Sequence, residues 1–405
     1  MSEPLKVLEL FAGIGACSKA LVRLKIPHTI VDAVEIDKYA IKSFNAIHGT
    51  SFEPQDITKW DKDISVDLIM HGSPCQDFSV AGRQAGGDEG SGTRSSLMYE
   101  TLRIVNKLHP KYVIWENVKN LLSKKHRHNF DAYIESMKRL GYINSFQILN
   151  AKDYGIPQNR ERVFTVSIRE DIWDKAYDDS NQFKFPKPIE LKRKLKDMLE
   201  DEVDEKYFIS ENMMNYFMGI NQKPSKFPRR ERFLANINRN DKDRANSITT
   251  APGQRPTDNF VVASRGRGKN NEQQLEPRKD YLTNTITTVQ KDNYVAIKTA
   301  NKQGYDVAIN GDGVDLAYPD SKTRRGRVGH GVAKTLPTSD SQGVLDGHRI
   351  RKLTPKECWR LMGFDDSDIE KAKMVGISNT QLYKQAGNSI VVDVMMAILK
   401  AIFEG

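Results

Sequence analysis

Cys75 is the side chain of this sequence best suited to nucleophilic chemistry. It lies in the motif GSPCQDFS at residues 72–79, directly after a short apolar run that predicts a buried strand. Ligands of open α/β sheets bind at the carboxyl ends of strands, and a thiol held there beside a helix N-terminus or a cation can act as a nucleophile. The glycine-rich run 82–92 that follows predicts a loop able to close over a substrate. Cys17 and Cys358 lack this context, so we expect them to be buried, inert thiols.

Two further segments place charged side chains at strand ends. Glu116 follows the apolar run in YVIWENV. Carboxyl groups at sheet edges are usually solvated, but beside a cysteine loop such a group can act as a general acid. In QNRER at residues 158–162, alternation into the following strand places Arg160 and Arg162 on one side. Near Cys75 and Glu116 these arginines would stabilise negative charge.

A glycine turn at residues 11–15 (FAGIG) predicts a nucleotide site. Glycine allows a ligand to approach the backbone closely, and the helix that follows offers free N–H groups. Ser18 occupies the third glycine position of the Gly-x-Gly-x-x-Gly fingerprint, which argues against a nicotinamide dinucleotide. Glu35, at the end of the second strand, is placed to accept hydrogen bonds from a ribose diol. Asp56 follows a third segment and is a candidate contact for an adenine amino group.

Strand and helix patterns alternate through the first part of the chain. This alternation predicts an α/β fold in which helices cover both faces of a parallel sheet. The strands are predicted at 6–11, 29–34, 66–70, 112–115 and 162–167, and the helices at 17–24, 38–48, 96–108, 130–140 and, near the C-terminus, 382–403.

A change in composition predicts three regions. Residues 1–170 form the α/β part, residues 171–348 are richer in Pro, Asn, Asp and Gly, and helical pattern returns over residues 349–405. The middle region carries concentrated positive charge: residues 223–244 hold eight basic against three acidic side chains, and residues 321–339 contain no carboxylate. We expect the last helix to pack back on the first domain.

The overall composition is that of a folded, basic protein. With 62 Lys and Arg against 53 Asp and Glu, the formal net charge is +9, which permits a polyanionic partner without requiring one. No apolar run approaches the roughly 20 residues of a membrane helix, and the acidic start is unlike a signal peptide. Three cysteines form neither a disulfide framework nor a zinc-type Cys-x-x-Cys pair, and the basic cluster KKHRH at 124–128 lacks carboxylate or thiol neighbours. We therefore expect a cytoplasmic protein with no membrane contact and no metal.

Together these segments resemble the C5-cytosine DNA methyltransferase family of bacteria and their phages. The similarity rests on motifs in the family's order at both ends of the chain, outside 171–348: FAGIG, EID at 35–37, GSPCQDFS, ENV at 116–118, QNRER, RKLTPKEC at 351–358 with MGF at 362–364, and QAGNS at 385–389. It implies a Rossmann-like, mostly parallel sheet of the S-adenosylmethionine-dependent methyltransferase type. It also implies a smaller, irregular, mostly β target-recognition domain at 171–348.

The resemblance also implies a mechanism. Cys75 would attack C6 of a cytosine flipped out of the duplex, while Glu116 would donate to N3. Arg162, with Arg160, would orient the base near O2. C5 would then accept a methyl group from S-adenosylmethionine.

Further residues are assigned by the same resemblance. Glu35 would bind the ribose hydroxyls of the cofactor, while Ile36 and Asp56 would contact its adenine. The remaining cofactor positions are Phe11, Ala12, Gly13, Ile14, Gly15, Ile57, Pro74, Leu97, Asn388 and Ser389. DNA contacts are expected at Ser79 and Arg94, although this loop is about three residues longer than in compact family members. We expect a monomer acting on double-stranded DNA, with a cognate restriction endonuclease as a candidate partner.

Two alternatives stay open at the level of sequence. One is an RNA cytosine-C5 methyltransferase on the same scaffold, and the other is a catalytically silent DNA-binding relative. The tRNA-modifying branch usually has a second proline where this chain has Ser73, which favours DNA. The intact Cys75, Glu116 and two arginines argue against a silent relative. Which side chains in 171–348 contact base edges is not encoded in any motif.

Overall fold

The computed structural model divides the chain into two compact units. The first comprises Met1–Arg193, Thr335–Ser339 and Pro355–Gly405, and the second comprises Lys194–Lys334 and Asp340–Thr354. The boundaries predicted at 170 and 348 divide the chain by function. The compact units do not assign functions to residues, so these boundaries stay a prediction. The structure describes residues 3–74, 94–176, 182–210, 261–267, 272–276, 293–319, 321–347 and 349–404.

A six-stranded sheet forms the centre of the first unit. Its strands are β1 (Leu5–Leu10), β2 (His28–Val34), β3 (Leu68–His71), β4 (Tyr112–Val118), β5 (Tyr142–Asn150) and β7 (Glu161–Arg169), and a short β6 spans Gln158–Asn159. The order is β2-β1-β3-β4-β7-β5. The first four strands are parallel, whereas β7 runs antiparallel to β4 and β5. The predicted mostly parallel sheet is confirmed, but β5 was not predicted.

Four helices of the first unit, at 16–24, 38–48, 98–108 and 127–139, lie close to where apolar periodicity predicts them, and the unit contains further helices. Its described helices are α1 (Ala16–Leu24), α2 (Lys38–His48), α3 (Met98–Leu108), α4 (Arg127–Arg139), α5 (Glu170–Ala176), α6 (Pro355–Arg360), α7 (Asp366–Met374), α8 (Asn379–Asn388) and α9 (Val392–Phe403). Their apolar faces and the central strands share a core that includes Leu8, Ile69, Met98 and Trp115. This packing is the main force that holds the strand ends in place.

The predicted single helix over 382–403 is wrong, because the chain breaks between α8 and α9. Ser389 and Val391 are extended, with ψ of 158° and 120°. By length and composition Asn379–Phe403 could cross a membrane, but half of its most apolar stretch is buried inside the protein. The break and this burial are typical of core helices in a folded domain. α9 packs on α1, in the same unit as the sheet.

The second unit contains two small antiparallel sheets. Val295, Ile297, Val314, Leu345 and Ile350 belong to their shared core. The basic run 223–244 lies outside the described residues. The described strands of this unit are β8 (Val261–Arg267), β9 (Glu272–Glu276), β10 (Asn293–Lys298), β11 (Tyr305–Ala308), β12 (Gly313–Asp315), β13 (Val328–Gly329), β14 (Ala333–Lys334), β15 (Gln342–Asp346) and β16 (Arg349–Lys352). One sheet has the strand order β11-β10-β8-β9, and the other has the order β13-β12-β15-β16.

Candidate active site

The turn between β1 and α1 exposes backbone to a ligand. Phe11, Gly13 and Gly15 all have left-handed backbones, with φ of 53°, 57° and 80°. A Cβ at Gly13 would meet no atom within 4 Å, so this stretch of backbone faces open space. A Cβ at Gly15 would lie 2.2 Å from His48 Nε2. Glycine is therefore required at residue 13 for its backbone conformation and ligand access, and at residue 15 for packing as well.

His48 supports this turn from within the unit. Its Nε2 lies 3.2 Å from the carbonyl oxygen of Ile14, and its ring packs against Phe44 with centroids 4.6 Å apart. Burial lowers the pKa of His48 to about 4, so the ring is neutral near pH 7. The carbonyl partner requires that Nε2 carries the proton and donates it. No sequence motif points to His48, since a lone histidine on an amphipathic helix carries no signal of this contact.

Glu35 is fixed beside the glycine turn. Its carboxylate accepts hydrogen bonds from the backbone N–H groups of Gly13, at 3.0 Å, and Asp37, at 2.8 Å. Burial raises the pKa of Glu35 despite these two bonds. The adjacent Ile36 is 71% exposed, which is unusual for a large apolar side chain. The turn thus adjoins an oriented carboxylate and an apolar side chain without a covering partner in the described chain.

A buried carboxylate at Asp32 holds the neighbouring segment. Asp32 accepts hydrogen bonds from Trp60 Nε1 at 2.8 Å, Gln55 Nε2 at 2.8 Å and Lys62 Nζ at 2.7 Å. Burial acts to raise the pKa of Asp32, but the bonds from Lys62, Trp60 and Gln55 outweigh it and hold the pKa below its usual value. Gln55 also donates its backbone N–H to the carbonyl of Glu35, at 2.8 Å. Asp32 therefore anchors the segment that leads to Asp56.

Asp56 and Ile57 follow this anchor but differ in burial. Asp56 caps the short 3₁₀ helix Ile57–Lys59 by accepting the N–H of Thr58 at 3.0 Å. Hydrogen bonds from the Thr58 hydroxyl and N–H lower the pKa of Asp56. Ile57 is buried in the core. Asp56 is thus partly exposed and oriented by its bond to Thr58, whereas Ile57 packs in the core.

The C-terminal helices contact this same half of the sheet. Gln385 accepts a hydrogen bond from Ser43 Oγ at 3.1 Å and donates to the carbonyl of Tyr39 at 3.0 Å. Lys384 pairs with Asp37 at 2.6 Å. These contacts connect α8 to α2, which begins directly after Glu35–Asp37. Of the other predicted cofactor positions, Asn388 ends α8, Ser389 caps it, Pro74 follows β3 and Leu97 packs partly buried on the core.

Glu116 and Arg162 form an ion pair at the ends of β4 and β7. Val118 lies opposite Arg162 in the antiparallel ladder, so Arg162 is a diagonal neighbour of Glu116 on one face. Arg162 Nε lies 3.0 Å from Glu116 Oε1, and both side chains are at most 16% exposed. They line a small cavity whose other walls include Leu149 and Phe164. An acid and a guanidinium thus meet in largely apolar surroundings.

Arg160 faces backbone carbonyls of the C-terminal segment. Its guanidinium donates to the carbonyl oxygens of Ser389 at 2.8 Å, Gly387 at 3.2 Å and Leu336 at 3.5 Å, and it is 4% exposed. The same cavity is lined by Arg160 and Arg162. The bonds from Arg160 satisfy carbonyls at the break between α8 and α9. Arg160 therefore holds this segment through its backbone, and its role in orienting a base stays a prediction.

The strand that leads to the candidate nucleophile is tied to β4. Ser73 Oγ accepts hydrogen bonds from Trp115 Nε1 at 3.0 Å and Asn117 Nδ2 at 3.2 Å. Asn117 Nδ2 also donates to the Ser73 carbonyl at 3.3 Å. Because Glu116 stands between Trp115 and Asn117, these bonds hold the residues just before Cys75 next to the strand that carries Glu116.

Three predicted side chains cannot be placed in this geometry. Cys75 and Ser79 lie outside the described residues, and the same holds for the side chain of Arg94. The two other thiols, Cys17 and Cys358, are buried as expected. Within the described ranges, no group of three His, Cys, Asp or Glu side chains is arranged to hold a metal ion.

Glu9 is a buried carboxyl behind the turn. It accepts hydrogen bonds from the N–H of Ser18, at 3.0 Å, and from the Ser18 hydroxyl. Burial raises the pKa of Glu9 from 4.5 to about 7. Because the folded pKa lies above the unfolded one, this group's stabilising contribution is complete below about pH 4.5 and is lost as the pH rises to about 7.

Replacing Glu9 with glutamine should therefore change the pH dependence of stability. The amide keeps an acceptor for Ser18 but cannot ionise. We expect the free energy of unfolding of Glu9→Gln, relative to the wild type, to increase by up to about 3 kcal/mol between acidic and mildly alkaline pH. Urea unfolding at a series of pH values measures this difference, with Glu3→Gln, an exposed site, as control. Parallel wild-type and Glu9→Gln curves would contradict the prediction.

Comparison with known proteins adds a family to this geometry. A family model described as C-5 cytosine-specific DNA methylase matches residues 5–404. The Orphan methyltransferase M.SPRI of Bacillus phage SPR is 32% identical over 98% of this chain and 97% of its own. The Type II methyltransferase M2.ScrFI of Lactococcus lactis subsp. cremoris is 28% identical over 99% of both chains.

Solved structures show the same fold at low sequence identity. A putative DNA modification methyltransferase encoded within an E. coli prophage matches with a TM-score of 0.56 and 19% identity, over 99% of both chains. A Spodoptera frugiperda DNMT2 variant matches with a TM-score of 0.57 and 18% identity, over 98% of this chain and 99% of its own. At this identity the likeness concerns the fold alone.

Proposed function

The chain belongs to the C-5 cytosine-specific DNA methylase family, and on that premise we propose that it methylates C5 of a cytosine within a specific duplex sequence through a covalent bond from Cys75 to C6. The observation that carries this proposal is the ion pair between Glu116 on β4 and Arg162 on β7. Ser73, two residues before Cys75, is hydrogen-bonded to the same strand β4. An acid, a guanidinium and a nucleophile-bearing segment at one sheet edge are the groups that cytosine activation needs.

The roles of these residues follow from the chemistry of cytosine. C5 of the aromatic ring is a poor acceptor of a methyl group. Addition of the Cys75 thiolate to C6, with Glu116 donating a proton to N3, makes C5 electron-rich. Arg162 orients Glu116 and stabilises charge at the base. After methylation a base removes the C5 proton, the electrons of that bond expel the thiolate from C6, and the N3 proton returns to Glu116.

The glycine turn fits S-adenosylmethionine, the methyl donor used by this kind of enzyme in general. The open space at Gly13 would leave room for the cofactor beside the backbone. Glu35, fixed by two backbone N–H groups, would accept hydrogen bonds from the ribose diol, and the exposed Ile36 would offer an apolar surface to the adenine. Asp56, which follows the Gln55 that is bonded to the Glu35 carbonyl, would accept a hydrogen bond from the adenine amino group. When bound, the cofactor supplies the methyl group. The chain's part is to hold it at the carboxyl ends of β1 and β2.

Methyl transfer with labelled cofactor tests this function directly. The protein is incubated with S-adenosylmethionine tritiated on the methyl group and with either duplex DNA or tRNA. We expect label on DNA alone. Label on tRNA would favour the RNA alternative, and label on neither would favour a silent relative. Methylation sequencing of plasmid from an expressing strain then identifies the target sequence.

The second unit is proposed to recognise the target. The part of the basic segment that lies in this unit, residues 321–334, suits a surface that contacts DNA phosphates, which gives affinity that falls with salt. We propose a monomeric, cytoplasmic enzyme. Some of its bacterial and phage relatives are named orphan methyltransferases and others type II methyltransferases. If this enzyme is of the type II kind, a cognate restriction endonuclease is its candidate partner.

Replacing Glu35 should weaken cofactor binding more than it slows chemistry. Glu35→Ala removes the ribose acceptor and the bond to the Gly13 N–H. We expect the KM for S-adenosylmethionine to increase roughly 10- to 100-fold, as for the loss of a charged hydrogen-bonding group. Steady-state kinetics at saturating DNA measure it. Glu53→Ala, which removes an exposed carboxyl of the first unit, is the control. A lowered kcat with unchanged KM would reject the role.

A further inference from the structure

Tyr318 is an exposed aromatic side chain held in a strained backbone conformation. Its φ is 45°, in the left-handed region that bulky residues rarely adopt, and its side chain is 69% exposed. Strain of this kind persists only where the surrounding structure enforces it, and it collects at functional positions. Tyr318 belongs to the second unit and lies just before the basic segment 321–339.

The enforcing group is the buried Arg327. Its guanidinium donates to the carbonyl oxygens of Tyr318 at 2.7 Å and of Asp315 and Ala317 at 3.0 Å each, and Arg327 is 1% exposed. The Tyr318 carbonyl also accepts the N–H of Ser321 at 3.0 Å. A fully buried arginine is thus committed to the backbone of a short exposed loop. The ring of Tyr318 is presented on a rigid support.

The intramolecular contacts of the ring do not account for this arrangement. Arg324 lies 5.6 Å from the ring centroid, and its charge is already paired with Asp315 at 2.6 Å. A cation–π contact at an exposed site returns less free energy than a left-handed backbone costs a bulky residue. Lys322 and Arg325, near this loop in the sequence, are also exposed. An exposed aromatic ring followed in the sequence by exposed lysine and arginine side chains is the chemistry that binds nucleic acid.

We propose that Tyr318 is a DNA-contact residue of the second unit, stacking its ring on a base of the target duplex while the neighbouring cations bind phosphate. This rests on the proposed function only in that duplex DNA is the substrate. A methylase that takes a cytosine out of the stack uncovers base faces that a rigid aromatic ring can cover. The left-handed backbone is then the cost of aiming the ring outward.

Tyr318→Gly separates a DNA contact from a structural role. Glycine relieves the strain, so the variant should melt no lower than the wild type. Loss of stacking should weaken its affinity for a short duplex carrying the mapped target sequence by roughly 5- to 100-fold. Tyr318→Phe, which keeps the ring, should bind close to wild type. Ile309→Ala removes another exposed apolar side chain of the same unit and serves as control.

Fluorescence anisotropy with labelled duplex and thermal melting provide both readouts. Wild-type DNA affinity in Tyr318→Gly, or a clearly lower melting temperature with DNA binding lost in proportion, would overturn the inference. If the wild type methylates DNA while Tyr318→Gly binds it normally, only this inference fails. If the wild type neither binds nor methylates duplex DNA, the proposed function fails with it.

Discussion

Cys75→Ala is expected to reduce methyl transfer by more than about 10⁴-fold while cofactor affinity stays close to wild type. The thiolate is the group that, by adding to C6, makes C5 of cytosine reactive. Most of the proposed cofactor contacts, among them the glycine turn and Glu35, lie on other elements. Single-turnover methylation of duplex DNA and equilibrium binding of S-adenosylmethionine measure the two quantities separately.

A trapped adduct provides the second readout for Cys75. A duplex with 5-fluorocytosine at the target base cannot lose a proton from C5, so the protein–DNA bond should persist under denaturing conditions. We expect a gel-shifted adduct with the wild type and none with Cys75→Ala. Cys358→Ala, which changes a buried thiol, should still form it. Near-normal turnover in Cys75→Ala, or no adduct with the wild type, would contradict the covalent mechanism.

Much of the first unit could be predicted because its signals are local. Apolar runs and helical periodicity identify β1 to β4 and α1 to α4, and parallel connectivity then places their carboxyl ends at one edge. The strand Tyr142–Asn150 escaped because it is an edge strand with mixed burial, where Phe146 and Ile148 stay 41% and 37% exposed. Its pattern resembles neither a buried strand nor a clean alternation.

The break between α8 and α9 was not predicted, because apolar residues recur on both sides of it. Gly387, Asn388 and Ser389 are weak helix formers, but the segment contains no proline to mark an end. Arg160, 229 residues away from Ser389, takes the carbonyls that a continuous helix would use. The motif QNRER does not distinguish Arg160 from Arg162, so both were predicted to orient the base. Asp32 did carry a local signal, because a carboxylate in the apolar strand TIVDAV requires buried partners.

Glu116→Gln is the second change with a large expected effect. The amide can still contact Arg162 but cannot donate a proton to N3 as an acid does. We expect the single-turnover rate to fall by roughly 10²- to 10⁴-fold, the range typical of a lost acid–base group. DNA affinity and cofactor affinity should change little. An unchanged rate would reject the role of Glu116 in chemistry.

Arg162 should share its effect with Glu116, because the two side chains are 3.0 Å apart and nearly buried. Arg162→Lys keeps the charge but loses the planar fork, so we expect a rate roughly 10- to 100-fold below wild type. If Arg162 acts by orienting Glu116, the double variant should be little slower than Glu116→Gln alone. If instead the two losses multiply, Arg162 contacts the base independently of Glu116. Lys119→Gln is the control, because it removes an exposed cation that follows β4 and pairs with Glu161. Its rate should stay near wild type, which would show that the Glu116–Arg162 ion pair matters rather than the local charge.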